Sequence, residues 1–139
     1  MTQSQKLNAD IAAKLLVYRT DPVLFVQEQL GAHPTKWQRE ALAAAVSETR
    51  ISIRSGHGVG KSTFLAWLIL WFMLTRIPVK VMATANRQDQ IFDVLWSECR
   101  AWHRRLQPLL RNMLEITSDK ISYLPEPEAN FAVARTARK

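Results

Sequence analysis

Cysteine is almost absent from this sequence, in which Cys99 is the single example among 139 residues. One thiol excludes both an internal disulfide framework and a zinc site built from several cysteines. Disulfide-free composition is typical of a reducing, intracellular compartment, so we expect a cytoplasmic protein.

Long hydrophobic runs are also missing. The longest covers residues 64–74 and is followed by Thr75 and Arg76, whereas a membrane-spanning helix needs about 20 apolar residues. The first ten residues lack the apolar stretch of a secretory signal. We therefore expect no membrane association and predict that residues 64–74 belong to a buried core helix.

Acidic residues are the scarcer charged class, with 12 Asp and Glu against 19 Lys and Arg, which gives a net charge of +7. A positive excess favours a polyanionic partner. The excess is spread along the chain, but four arginines and one histidine occur without an acid at Arg100, His103, Arg104, Arg105 and Arg111. This run indicates either an anion-binding surface or an ordinary solvated helix face.

Glycine is scarce, yet three of the four glycines lie within five residues, at Gly56, Gly58 and Gly60. A β-prone run at 50–54 precedes them, and the apolar helix predicted over 63–75 follows. Glycine lets backbone N–H groups turn inward and approach a phosphate closely. The helix N-terminus beneath attracts anions through its free N–H groups and dipole.

This segment predicts a phosphate-binding loop. Lys61 supplies a charge for the β- and γ-phosphates of a nucleotide, and Ser62 supplies a hydroxyl for Mg²⁺. The match to G-x-x-x-x-G-K-[ST] departs at the first glycine, where this chain has a serine. The alternative is a glycine-rich turn that caps a helix. The predicted nucleotide-binding residues are Ser55, Gly56, His57, Gly58, Val59, Gly60, Lys61, Ser62 and Thr63, with simple solvent exposure an open alternative for the histidine.

The remaining patterns predict an α/β fold. Asn8 is the expected cap of a first helix with Ile11, Leu15 and Leu16 on its buried side, and Asp21-Pro22 begins a second helix that stops at Gly31. Asn86 is the expected cap of a later helix that runs toward residue 106. Strands are expected at 50–54, 79–83 and 131–134, with a hairpin at 114–124. The opening strand–helix–strand order predicts a mainly parallel sheet with flanking helices.

Gln38 follows Trp37 near the start of a third predicted helix. Its amide offers the donor and the acceptor that an adenine edge requires. Thr35-x-x-Gln38 is also a capping box, and spacing alone favours the cap. The other tryptophans invite a base-stacking interpretation, but their helical spacing favours core positions for Trp67, Trp71, Trp96 and Trp102.

The order of these motifs resembles the ATPase domain of a phage terminase large subunit, the motor that drives viral DNA into a capsid. The resemblance rests on Asp21-Pro22, Phe25-Val26, Trp37-Gln38, residues 54–62, Ala83-Thr84-Ala85 and Gln90. It implies a P-loop NTPase fold that binds ATP and Mg²⁺. By this resemblance Gln38 contacts adenine, Lys61 and Ser62 serve the phosphates and the metal, and Arg54 joins Lys61 as a catalytic residue.

The resemblance also implies partners and an organisation. Double-stranded DNA is the expected substrate, and in the complete protein the terminase small subunit, the capsid portal and further copies of the same chain are expected partners within a bacterial host. Residues 1–49 correspond to an N-terminal helical segment with the adenine-type motif, and residues 50–139 to a partial ATPase core, together one structural domain.

Residues 131–136 resemble the stretch before the acidic Walker B strand, and no apolar strand followed by Asp-Glu occurs in the chain. We therefore expect the front part of a terminase, with a sheet that is incomplete at its C-terminal side. A helicase fragment, which shares the phosphate loop and the preceding glutamine, is one alternative. A non-catalytic remnant that binds nucleotide or nothing is the other.

Overall fold

A computed structural model of the chain describes residues 2–47, 60–85 and 90–136, in which helices pack against one side of a four-stranded sheet. The helices are α1 (Gln3–Tyr18), α2 (Pro22–Gln29), α3 (Lys36–Ala44), α4 (Lys61–Thr75), α5 (Gln90–His103) and α6 (Pro108–Arg111). The strands are β1 (Lys80–Ala85), β2 (Leu114–Ile116), β3 (Lys120–Tyr123) and β4 (Phe131–Thr136). The predicted α/β class is confirmed, whereas the strand predicted at 50–54 and the helix cap predicted at Asn86 lie outside the described residues.

The sheet has the order β1-β4-β3-β2 and is mixed. β1 pairs with β4 in parallel, while β4 with β3 and β3 with β2 pair antiparallel. The prediction of a mainly parallel sheet is therefore wrong for the described strands. The cause is connectivity, because short turns join β2 to β3 and β3 to β4, and only β1 and β4 are separated by a helical crossover.

The hairpin predicted at 114–124 and the last strand are confirmed. Leu114 pairs with Tyr123 and Ile116 with Ile121 across the hairpin. At the start of β4, the buried Asn130 side chain accepts a hydrogen bond from the Val79 backbone N–H at 2.8 Å. This contact helps to align β1 with β4.

The first helix begins earlier than its pattern predicts. Thr2 is the N-cap, and its hydroxyl accepts from the Gln5 N–H at 3.1 Å while the Gln5 side chain accepts from the Thr2 N–H at 2.9 Å. Asn8 therefore lies inside α1 and is not its cap. Leu16 is 71% exposed, contrary to its predicted burial, since the buried face of α1 runs through Ile11 and Tyr18.

The predicted limits of the second helix are confirmed. The Asp21 carboxylate accepts from the Leu24 N–H at 3.1 Å, and the first helical residue is a proline. Gly31, directly after the last helical turn, has φ +64, a conformation that glycine adopts without strain. Helix α2 then packs against α1, α3 and α4.

Helix α4 forms the centre of the hydrophobic core. Eight of its residues are buried, and it contacts α1, α2, α5 and β4. The predicted core positions of Trp67, Trp71 and Trp96 are confirmed; Trp102 is partly buried and meets the ring of Trp67 edge-on at 5.5 Å. Among the described helices, none combines the length and the hydropathy needed to cross a membrane.

Candidate phosphate-binding site

The N-terminus of α4 is where the described residues of the predicted phosphate loop lie. Gly60 is the N-cap of this helix and adopts a left-handed conformation with φ 70 and ψ 17. Lys61 begins the helix with an exposed side chain, and Ser62 and Thr63 follow with half-buried side chains. Arg54 and the loop residues Ser55, Gly56, His57, Gly58 and Val59 lie outside the described residues.

Within the described part of the chain, α4 begins without the side-chain cap that the three preceding helices have. Asp21 caps α2, and reciprocal boxes cap α1 and α3. Gly60 has no side chain to offer, and no acid occupies the first turn of α4. The first N–H groups of a helix have no acceptor within the helix, and the helix dipole makes this end positive. An exposed lysine beside such an end is suited to bind an anion.

Gln38 reaches this site from α3. Its Oε1 accepts a hydrogen bond from the Thr35 N–H at 2.9 Å, which confirms the capping role that the spacing favours. Its Nε2 donates to the Gly60 carbonyl oxygen at 3.0 Å. The side chain is only 4% exposed. Sequence reasoning missed the contact with Gly60, because no local pattern links residues 22 positions apart.

Trp37 completes the contact between α3 and α4. Its ring lies 5.5 Å from that of Phe64, in a tilted arrangement. The indole edge also flanks Gly60, since a Cβ at residue 60 would lie 3.9 Å from Trp37 Cζ2 and 2.7 Å from Gln38 Nε2. A glycine is therefore required at this position both by backbone conformation and by space.

The residues present fit a magnesium–nucleotide complex better than a metal bound by protein alone. Magnesium in nucleotide sites takes most of its oxygens from phosphate and water and only one or two from the protein. Ser62 supplies one such oxygen in the first turn of α4. In residues 2–47, 60–85 and 90–136, no group of three His, Cys, Asp or Glu side chains is placed to hold a metal.

Arg76 marks the opposite end of α4 and is a second residue that sequence reasoning missed. Its Nη2 donates to the Val46 carbonyl at 2.8 Å, and its guanidinium lies over the Trp71 ring at 5.0 Å. These contacts attach the segment after α3 to the C-terminal end of α4. Both ends of α4 are thus joined to α3 or to the residues that follow it.

The arginine-rich run after residue 100 is largely used in internal contacts. Arg100 donates to the Thr117 carbonyl at 3.2 Å, and Arg111 donates to the Arg104 carbonyl at 3.4 Å. Arg105 donates to the Leu30 carbonyl at 3.3 Å. Their charges remain near the surface, but each of these three guanidinium groups also stabilises a backbone turn or a helix end.

His103 lies in the same run and faces two backbone oxygens. Its Nε2 is 2.9 Å from the Arg111 carbonyl and 3.1 Å from the Leu114 carbonyl. Both are acceptors, so Nε2 carries the proton. His103 therefore joins α5 to α6 and β2 and has a structural role.

Comparison with known proteins adds one relationship to this geometry. Over 79 residues, the chain is 28% identical to a protein of Enterobacteria phage P7 described as "Probable terminase, large subunit". The chain is similar to part of a terminase large subunit. The aligned region covers 55% of this chain and 16% of the phage protein, so the chain matches about a sixth of that relative's length. No family model matches the chain, and no solved structure matches it.

Proposed function

We propose that this chain is the nucleotide-binding part of a terminase-type DNA-packaging ATPase, with a P-loop NTPase fold. The observation that carries the proposal is the start of α4, where the left-handed Gly60 leaves the helix without a side-chain cap and Lys61 follows with an exposed side chain. The similarity to the terminase of phage P7 supports the same assignment.

The proposed ligand is ATP with Mg²⁺. The backbone N–H groups of residues 55–60 and the α4 N-terminus would surround the phosphates, Lys61 would neutralise charge on the β- and γ-phosphates, and the Ser62 hydroxyl would bind the metal. Bound Mg²⁺ supplies charge neutralisation on the phosphate oxygens. Arg54 is proposed as a second catalytic cation on the basis of the resemblance.

In the complete protein, we propose that ATP hydrolysis drives translocation of double-stranded viral DNA. The small subunit, the portal and other copies of the same chain are the partners that this role requires. The net charge of +7 is consistent with a polyanionic substrate. The similarity covers too small a part of the phage protein to extend these properties beyond a proposal.

A thermal-shift titration with MgATP tests the binding site. A ligand present at about 100 times its dissociation constant adds roughly 2.7 kcal/mol to the free energy of unfolding. For a domain of this size, the melting temperature should rise by several degrees. Lys61→Ala should abolish most of this rise, because the lysine charge acts directly on the phosphates.

Lys6→Ala is the matched control for charge. Lys6 is also an exposed lysine near the start of a helix, but α1 is capped by Thr2 and Gln5. This variant should retain the full shift. Equal shifts for the wild type and Lys61→Ala would contradict the proposed function.

A further inference from the structure

We propose that Gln38 is a positioning residue for the phosphate site, and that it acts by holding the Gly60 carbonyl instead of contacting the base. This inference rests on the proposed function, because it concerns how the same site is formed. It assigns to Gln38 a role different from the adenine contact implied by the resemblance.

The hydrogen bonds of Gln38 carry the inference. Reading an adenine edge requires a donor and an acceptor directed at the ligand. In this structure Oε1 is directed at the Thr35 N–H and Nε2 at the Gly60 carbonyl, both in the chain's own backbone. At 4% exposure, the side chain presents almost no surface to a ligand.

The Gly60 carbonyl is the group through which Gln38 reaches the phosphate site. This oxygen accepts from Gln38 Nε2 at 3.0 Å and from the Phe64 N–H at 3.0 Å, which is the first hydrogen bond of α4. The carbonyl of residue 60 and the N–H of Lys61 belong to one planar peptide unit. Fixing the direction of the carbonyl therefore fixes the direction of the Lys61 N–H, one of the amides proposed to face phosphate.

The surroundings of Gly60 leave little room for another arrangement. Trp37 packs against Phe64 on the same side, at a ring separation of 5.5 Å. Gln38 Nε2 occupies the space that a Cβ of residue 60 would need. The Trp37-Gln38 pair thus acts as a support for the first turn of α4.

Binding of three ligands separates positioning from base recognition. Magnesium tripolyphosphate has phosphates but no base, MgATP adds adenine, and MgGTP adds guanine. Their dissociation constants are measured by calorimetry for the wild type and for Gln38→Met, a neutral variant of similar length. If Gln38 positions the loop, all three affinities fall by the same factor, about tenfold for a lost hydrogen bond. A loss for MgATP alone, with tripolyphosphate unchanged, would overturn the inference in favour of base recognition.

Two controls separate positioning from a general loss of stability or of an exposed amide. Asp21→Ala removes the cap of α2, where the carboxylate accepts from the Leu24 N–H, and so destabilises the fold at a position outside the phosphate loop. Gln27→Met makes the same substitution on the exposed face of α2. Both should bind tripolyphosphate as the wild type does. A tenfold loss in Asp21→Ala would overturn the inference, because instability alone would then explain it.

Hydrogen exchange tests the contact without any ligand. In the free protein, Gln38→Met should accelerate exchange of the Phe64 amide and leave amides near the C-terminal end of α4, such as Thr75, unchanged. Unchanged exchange at Phe64 would overturn the inference. If the wild type binds neither MgATP nor tripolyphosphate, the proposed function fails, while the exchange rates still decide whether Gln38 holds Gly60.

Discussion

The indole N–H of Trp71 donates to the backbone carbonyl of Tyr18 at 2.6 Å. The two residues are 53 positions apart and neither is exposed to solvent. Tyr18 is the last residue of α1, where carbonyl groups lack acceptance partners within the helix. Trp71 therefore satisfies a buried helix end and attaches α1 to the middle of α4.

Replacing Trp71 by phenylalanine should destabilise the fold. The Tyr18 carbonyl would lose its buried donor, at a cost of about 1–3 kcal/mol, and the smaller ring would leave space in the core. Urea denaturation measures the change. Trp102→Phe is the control, since Trp102 is half-buried and its indole donates to the Glu98 side chain on the same helix. Equal losses in the two variants would show that the Tyr18 contact contributes little.

Alanine at Gly60 should be more damaging than alanine at Gly31. Both glycines have positive φ, +70 and +64, and a left-handed alanine costs roughly 1–2 kcal/mol. At Gly31 nothing lies within 4 Å of the added Cβ, whereas at Gly60 it would lie 2.7 Å from Gln38 Nε2. The free energy of unfolding and tripolyphosphate affinity should both fall further in Gly60→Ala. Identical behaviour of the two variants would contradict the close contact.

Cys99 should be unreactive in the folded protein. The thiol is fully buried, and desolvation raises its pKa to about 12. At pH 8 the thiolate fraction is then about 10⁻⁴, and the thiolate is the reactive species. Labelling with a chromogenic disulfide reagent should be slow in buffer and rapid in urea. Fast labelling of the native protein would contradict the burial.

The same raised pKa predicts a dependence of stability on pH. An unfolded cysteine titrates near about pH 8.5, so between that value and about pH 12 the unfolded state loses a proton that the folded state keeps. The contribution of Cys99 to the free energy of unfolding is therefore complete below about pH 8.5 and is lost as the pH rises. Cys99→Ser should reduce this slope in urea titrations at alkaline pH.

The 139-residue chain should turn over ATP at a rate near background. Phosphoryl transfer to water needs a carboxylate that orients the nucleophile. Asp93 on α5 and Glu126 and Glu128 between β3 and β4 are exposed, and none follows an apolar strand. Loss of one such group typically reduces the rate by about 10²–10⁴. Phosphate release with Lys61→Ala as the blank measures this, and strong Lys61-dependent release would contradict it.

Local chemistry determined how well the helix limits were predicted. Asp21 and Gly31 bound α2 through groups that lie next to it in sequence, so the pattern was sufficient. Asn8 was wrong because Thr2 and Gln5 form a better cap earlier in the chain, and both residue types also occur in helix interiors. The apolar character of α4 similarly predicted its burial on nearly every side.

Strand direction and long-range contacts were beyond local patterns. The residues of β4 do not reveal that it lies between β1 and β3, and this placement makes the sheet mixed. The Gln38–Gly60 and Arg76–Val46 hydrogen bonds join residues 22 and 30 positions apart. Such pairings depend on how the helices pack, so the sequence predicted the types of residue at the site but not their connections.

The position of Trp37 beside Phe64 and Gly60 gives the molecule an intrinsic optical reporter. Four of the five tryptophans lie on α4 and α5, where three of them are buried and Trp102 is half-buried. The Trp37 indole is half-buried and adjoins the residue that begins α4. Its emission wavelength and its quenching by iodide therefore follow the local environment of Gly60, so events at the start of α4 are observable in the unlabelled chain.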